Sequence, residues 1–152
     1  MTGTPRLDIE DLHHHLRDAL RHGARASRLL RYTPAIIELL CPAADHPDLN
    51  EYDRAIAAES LIRHAIDAIG GNPGHAIATV LCLPPGTLGR TLEDRRRIAA
   101  GYLDIEADTF RRYPHEKTLL FDLAIEIYRH HTTNHAGIAP TIDSNTATTF
   151  QS

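Results

Sequence analysis

Helix-start and helix-stop signals alternate along this chain from end to end, and no stretch between them is long enough for anything but a short or medium helix. Asp8 can cap a first helix, with Glu10 and Asp11 in its first turn, where acids suit the helix dipole. Leu12, Leu16 and Leu20 then form one apolar stripe, and Gly23 ends or bends the helix. A second helical segment runs from about Ala24 to Arg31, and Thr33-Pro34 is a cap followed by proline at the first helical position. The apolar helix AIIELLC that follows is stopped by Pro42. Asp48 or Asn50 caps the clearest helix, which runs to Ile69 and is ended by Gly70-Gly71. Its spacing predicts Tyr52, Ile56, Ile62, Ile66 and Ile69 on one buried side, with Ala55, Ala58 and Ala65 admitting close neighbours. Asn72-Pro73 opens HAIATVLCL, which Pro84-Pro85-Gly86 ends. Thr91 to Asp94 reads as a capping box with Asp in place of Glu, opening a helix to about Leu103. A short helix over Thr109–Arg112 is broken by Pro114. The last helix, His115 to about His131, is expected to bury Leu119, Leu120, Leu123, Ala124, Ile127 and Tyr128.

The composition agrees. Hydrophobic residues make up 42% of the 152, but aromatics only 5% and tryptophan is absent, so the core must be built from Leu, Ile and Ala, which suits closely packed helices. A chain this long buries roughly 70% of its unfolded surface. The expectation is a single all-α bundle over residues 4–131, of six or seven helices, with a helix-turn-helix-like C-terminal half. Residues 132–152, rich in Thr, Asn and Ala with one charge, read as a flexible polar tail. No apolar run reaches the ~18 residues of a membrane span, and the polar opening MTGTPRLDIEDLHHH lacks the apolar segment of a signal peptide, so a cytoplasmic location is expected. Cys41 and Cys82 each end an apolar helical run and read as small core hydrophobes rather than a disulfide.

The net charge of −4 is unevenly spread. Residues 1–31 carry six arginines against four acids, residues 32–72 two against seven, and residues 73–131 are balanced. A dedicated nucleic-acid binder concentrates base on one face, and the acidic middle third would repel phosphate.

One segment has a nameable pattern. In Arg95–Tyr113, RRRIAAGYLDIEADTFRRY, Ala99 and Ala100 supply the small site where two helices cross, Leu103 and Ile105 bracket a turn, and Phe110 and Tyr113 anchor a second helix. This resembles a helix-turn-helix. Asp104 stands where glycine is usual, Pro114 shortens the second helix, and Glu106 and Asp108 sit at its start, where a reader helix meets DNA. Arg95, Arg96, Arg97, Arg111 and Arg112 form the candidate macromolecular face, suited to phosphate contacts that give affinity without base reading. The wider stretch Thr91–Tyr128 resembles a module of small actinobacterial all-helical regulatory and adaptor proteins, and the predominance of Arg over Lys, fifteen to one, fits a high-GC genome of that kind. The resemblance implies a helical adaptor with no catalytic residue.

Eleven histidines invite a search for a metal or catalytic cluster. His13, His14 and His15 are consecutive, so on a helix they point about 100° apart and do not converge on one metal unaided. His15 and Asp11 can share a face, and His130, His131 and His135 gather at the end of the last helix. Arg17 to His22 and Arg129 to His135 resemble the Arg-x4-6-His motif of the HEPN ribonucleases, which are also small and all-α. GGNPG lacks the lysine and strand context of a phosphate loop, and no Gly-x-Ser-x-Gly occurs. The expectation is therefore no enzyme, no cofactor and no metal. The first functional expectation is a regulatory or adaptor module that binds another protein. Its acidic helix (Glu51, Asp53, Glu59, Asp67) would face basic groups elsewhere, Arg95–Arg97 or a second subunit, and the partner it binds is an unidentified protein. The second is a DNA-binding transcriptional regulator using residues 95–113, and the third a small all-α ribonuclease.

Overall fold

A computed structural model of the protein describes residues 7–112 and 115–150, with side chains described as far as residue 132. Among these residues are eight α-helices, two short 3-10 turns (Ala43–Asp45 and Pro85–Thr87) and no strand. The helices are α1 (Ile9–Ala19), α2 (Ala26–Tyr32), α3 (Pro34–Leu40), α4 (Glu51–Ile69), α5 (Gly71–Val80), α6 (Leu92–Tyr102), α7 (Ala107–Arg111) and α8 (His115–Phe150). Eight replaces the expected six or seven because the segments on either side of Gly23 are two separate helices, α1 ending at Ala19 and α2 starting at Ala26. The backbone of α8 continues past His131 to Phe150. The tail expected over residues 132–152 lies almost wholly outside the described side chains.

Three of the predicted caps form, whereas Thr33 precedes Pro34 as expected but makes no side-chain bond to the first turn of α3. Asp8 accepts from the Glu10 amide, Asn50 from Asp53 and Thr91 from Asp94, at 3.1, 2.7 and 3.1 Å. Each satisfies an amide that the first helical turn leaves without a partner. α2 has no such residue before it. Its first amide, that of Ala26, is taken instead by Glu59 Oε1 of α4 at 2.8 Å, a carboxylate at a helix start supplied from across the bundle.

α4 is the centre of the bundle and packs against α2, α3, α5 and α8, while α8 also covers α1, α5 and α7. The α4 surface turned inward is Ala55, Ala58, Ile62, Ala65 and Ile66, small enough to let four helices approach one. They belong to one continuous core with Leu12 and Leu16 of α1, Ile77 and Val80 of α5, and Leu120, Leu123 and Ile127 of α8. Two expectations are corrected here. Tyr52 and Ile56 lie outside, 51% and 46% exposed, because the inner stripe of α4 follows its alanines. Tyr128 of α8 is also exposed.

The end of α5 ties three segments together. After Val80 the chain turns through Leu81 and a left-handed Cys82 (φ 61°), and the Leu83 amide returns to Ala78 O at 3.0 Å. This closes the helix in the glycine-type manner with a cysteine in the strained position. Four consecutive carbonyls then point outward from the helix end, and each finds a donor. Arg95 of α6 reaches Val80, the Ala24 amide reaches Leu81 (2.8 Å), Arg25 reaches Cys82 (2.9 Å), and Arg25 and Arg63 both reach Leu83. Gly23 permits this approach. It has φ +94°, and a Cβ there would lie 2.8 Å from Cys82 Cβ.

Arg95 is 2% exposed. Besides Val80 it donates to Leu20 O (3.0 Å), Arg21 O (3.2 Å) and Arg90 O (3.3 Å), so one guanidinium closes the C-terminal ends of both α1 and α5. A cation suits the partial negative charge of two helix ends, and the rigid fork serves several carbonyls at once. Burial pulls its pKa below the ordinary arginine value, yet the group stays protonated. Arg95→Ala is expected to cost about 3–5 kcal/mol, since it leaves buried carbonyls without donors. For a domain of this size the melting temperature should fall by about 10 °C, read by circular dichroism. Arg95→Lys should fall between the two, and a parent-like melt for the alanine variant would refute the role.

His13 supplies a pH dependence. Its ring meets the edge of Phe121 of α8 at 5.3 Å, and its Nε2 donates to Lys117 O at 3.1 Å. Partial burial lowers its pKa from 6.5 and outweighs the opposing effect of the bond to Lys117 O, with the Arg17 and Lys117 charges adding to the lowering. The folded protein therefore binds fewer protons here than the unfolded chain. This contribution is complete above pH 6.5 and is lost as the pH falls through the lowered folded value. Melting temperature should drop on acidification from about pH 7 to 5, and His13→Gln should flatten part of that slope.

Candidate functional site

Residues 95–113 were expected to carry the functional face. The segment is built as a helix, a tight turn and a five-residue helix. α6 ends with Asp104 left-handed (φ 57°), the Asp104 amide on Gly101 O at 3.2 Å and the Ile105 amide on Ala100 O at 3.1 Å. Asp104 thus does the work of the usual glycine. Ala99, Ala100 and Phe110 are buried and Leu103 and Ile105 half-buried, while Tyr113 and Pro114 lie outside the described residues.

The five arginines do not form one surface. Arg95 points inward, as described above, and is unavailable to a partner. The stripe Leu92, Ala99, Leu103 passes through this position, which is the sequence signal for its burial. Arg96 is spent on Glu116 of α8 in a two-pronged pair at 2.7 and 2.8 Å that fastens α6 to the start of α8. Both partners are largely shielded from solvent, so this pair is worth more than a surface one. Arg97 is exposed and pairs with Asp94. Arg111 and Arg112 are exposed and share one carboxylate, Asp108, at 3.3 and 3.1 Å. The segment Glu93–Glu116 sets six carboxylates (Glu93, Asp94, Asp104, Glu106, Asp108, Glu116) against four arginines besides the buried Arg95. The cleft between α6 and α7, about 280 Å³, is lined by both signs, Arg96 and Arg111 with Glu93 and Asp108.

The outer face of α4 is different in kind. Tyr52 and Ile56 stand one turn apart on it, both large, apolar and about half exposed, with exposed Leu49 just ahead of the cap. Glu51 and Asp53 flank them, and Asp67 extends the acidic character toward the far end; all three are exposed. Of the four acids expected on this helix only Glu59 is occupied within the fold, by the Ala26 amide and by Arg63 Nε at 2.6 Å. Small or polar exposed residues (Ala57, Ser60, His64, Ala68) continue the face between them.

The histidines are not scattered as their spacing suggested. His14 and His15 both lean toward Asp18, four and three residues on, with Nε2 of His14 3.6 Å and Nδ1 of His15 3.9 Å from Asp18 Oδ2. His130 pairs with Glu126 at 3.3 Å, and so does Arg129 at 3.2 Å. The His135 side chain lies outside the described residues. His22, the other end of the Arg17 motif, stacks on Tyr32 with ring centres 3.6 Å apart. Both cysteines are free; burial raises the Cys41 thiol pKa, which disfavours its reactive thiolate.

No protein-family model matches the chain, and neither curated proteins nor solved structures give a match. Among the described residues no helix is long and apolar enough to cross a membrane.

Proposed function

We propose that this protein is a regulatory or adaptor module without catalytic activity, of the kind its C-terminal half resembles, and that it works by binding another protein through the outer face of α4. The observation that carries this is the pairing of Tyr52 and Ile56 in the open on the helix that forms the centre of the fold. A large aromatic and a branched aliphatic on a rigid helix are typical anchors of an interface, and burial of each is worth about 1.5–3 kcal/mol. The acids around them choose the partner. Residues 32–72 carry seven acids against two arginines, so the face suits a protein segment with apolar side chains bordered by lysine or arginine. The DNA reading draws less support. It depends on five arginines, of which one is buried and the others face carboxylates.

The test separates these readings. A photo-crosslinking residue at Tyr52 in the full chain, expressed in its native host, should trap a protein whose contact segment is basic and apolar. Ile56→Glu should abolish that product, Glu51→Lys with Asp53→Lys should weaken it, and Arg111→Ala with Arg112→Ala should leave it unchanged. A product indifferent to Ile56→Glu would sink the proposal, and so would a product that is a second copy of the chain. Duplex DNA at low salt should show no anisotropy change, because phosphate binding would be strongest there. Binding to duplex that disappears with Arg111→Ala and Arg112→Ala would establish the DNA reading instead.

A further inference from the structure

His14, His15 and Asp18 form a cluster that nothing in the proposed binding face requires. One ligand atom from each lies within 4.8 Å of the others. Asp18 stands between the two histidines because it is four residues beyond one and three beyond the other, so their rings converge on it although they leave the helix about 100° apart. A metal with ligand bonds of about 2.0–2.1 Å places neighbouring ligand atoms about 3.3 Å apart in a tetrahedral site. The 3.6 and 3.9 Å separations from Asp18 Oδ2 exceed that by only tenths of an ångström. Exposed side chains close such a gap by small torsional changes, and His14 and Asp18 are 69% and 58% exposed.

The fourth residue of the cluster strengthens the case. Asp11 Oδ1 lies 3.5 Å from Nε2 of His15, the ring nitrogen opposite the one that faces Asp18. A carboxylate behind a metal-bound imidazole fixes its tautomer and raises its basicity, an arrangement common to histidine-bound zinc. Asp11 thus faces one nitrogen of the His15 ring and Asp18 the other. The rings of His14 and His15 stand edge to face with centres 5.2 Å apart.

We propose that His14, His15 and Asp18 bind a first-row divalent transition ion of the zinc class, with Asp11 positioning His15 and the remaining coordination positions open to solvent. Two imidazoles and one carboxylate favour zinc, nickel or copper over magnesium or calcium, which take oxygen ligands. All four residues lie on one face of α1, and their side chains leave the core stripe Leu12, Leu16, Ala19 undisturbed.

Titration of the full-length protein with zinc chloride, followed by calorimetry, tests the site. The wild type should bind zinc with saturable affinity that excess magnesium does not compete away. His14→Ala and Asp18→Asn should each weaken binding by about tenfold or more, and Asp11→Asn by about tenfold, the usual effect of losing a carboxylate behind a ligand. Circular dichroism should show all three variants as helical as the parent. His130→Ala, His131→Ala and His135→Ala in one chain should leave the affinity unchanged. Parent-like zinc binding by His14→Ala and Asp18→Asn would overturn the proposal. Loss of binding in the triple variant at the end of α8 would do the same.

Discussion

The carbonyls at the end of α5 are the point on which this fold depends. A helix that stops inside a protein leaves its last carbonyls without partners, and each would be costly if buried bare. Here Val80, Leu81, Cys82 and Leu83 are satisfied in turn by Arg95, the Ala24 amide, Arg25, and Arg25 with Arg63. The donors come from α6, the α1–α2 turn and α4, so satisfying one helix end fixes the relative position of most of the N-terminal two-thirds. Because Arg95 also serves the end of α1, it substitutes a single charged group for the separate caps that two helices would otherwise need. The strained Cys82 backbone is tolerated because the turn it makes aims these carbonyls at their donors.

The same economy of inner space determines what is left outside. α4 accepts four neighbours because Ala55, Ala58 and Ala65 line its inner stripe. Helices that approach over alanine leave no room for Tyr52 and Ile56, which are pushed to the outer face beside Glu51 and Asp53. The candidate binding surface is thus a by-product of tight packing as well as a chemical feature, and its rigidity follows from it. An interface on such a helix loses little conformational entropy when it binds.

Much of the fold was legible in the chain. Asp8, Asn50 and Thr91 cap as their residue types demand, Pro34 takes the first turn of α3, and Asp104 adopts the left-handed conformation that its side chain tolerates. The failures share a cause. Sequence periodicity ranks positions by hydrophobicity, so it placed Tyr52 and Ile56 inside and Arg95 outside. What decides these positions is the distance between helix axes and the demand of distant carbonyls, and neither is local. Glu59 and Glu116 were hidden for the same reason, since their partners are 33 and 20 residues away. The His14–His15–Asp18 cluster is hidden differently: the spacing pairs His15 with Asp11, while Asp18, four and three residues beyond the two histidines, is the group that lies between them.

These placements change what the α6–α7 segment can be. A reader of DNA needs a recognition helix that projects from the body and a positive surface around it. α7 is five residues long, Phe110 roots it in the core, and its two arginines share Asp108. α6 contributes one arginine to the interior, a second to Glu116 and a third to Asp94. A run of three arginines therefore has three different structural partners within the molecule. Arg95 fastens α6 to the ends of α1 and α5 and Arg96 fastens it to α8, while Arg97 pairs within α6 itself. The charges that tie α6 to the rest of the bundle are thus those of Arg95 and Arg96, while the outward groups of α6 and α7 pair within their own helices and carry both signs.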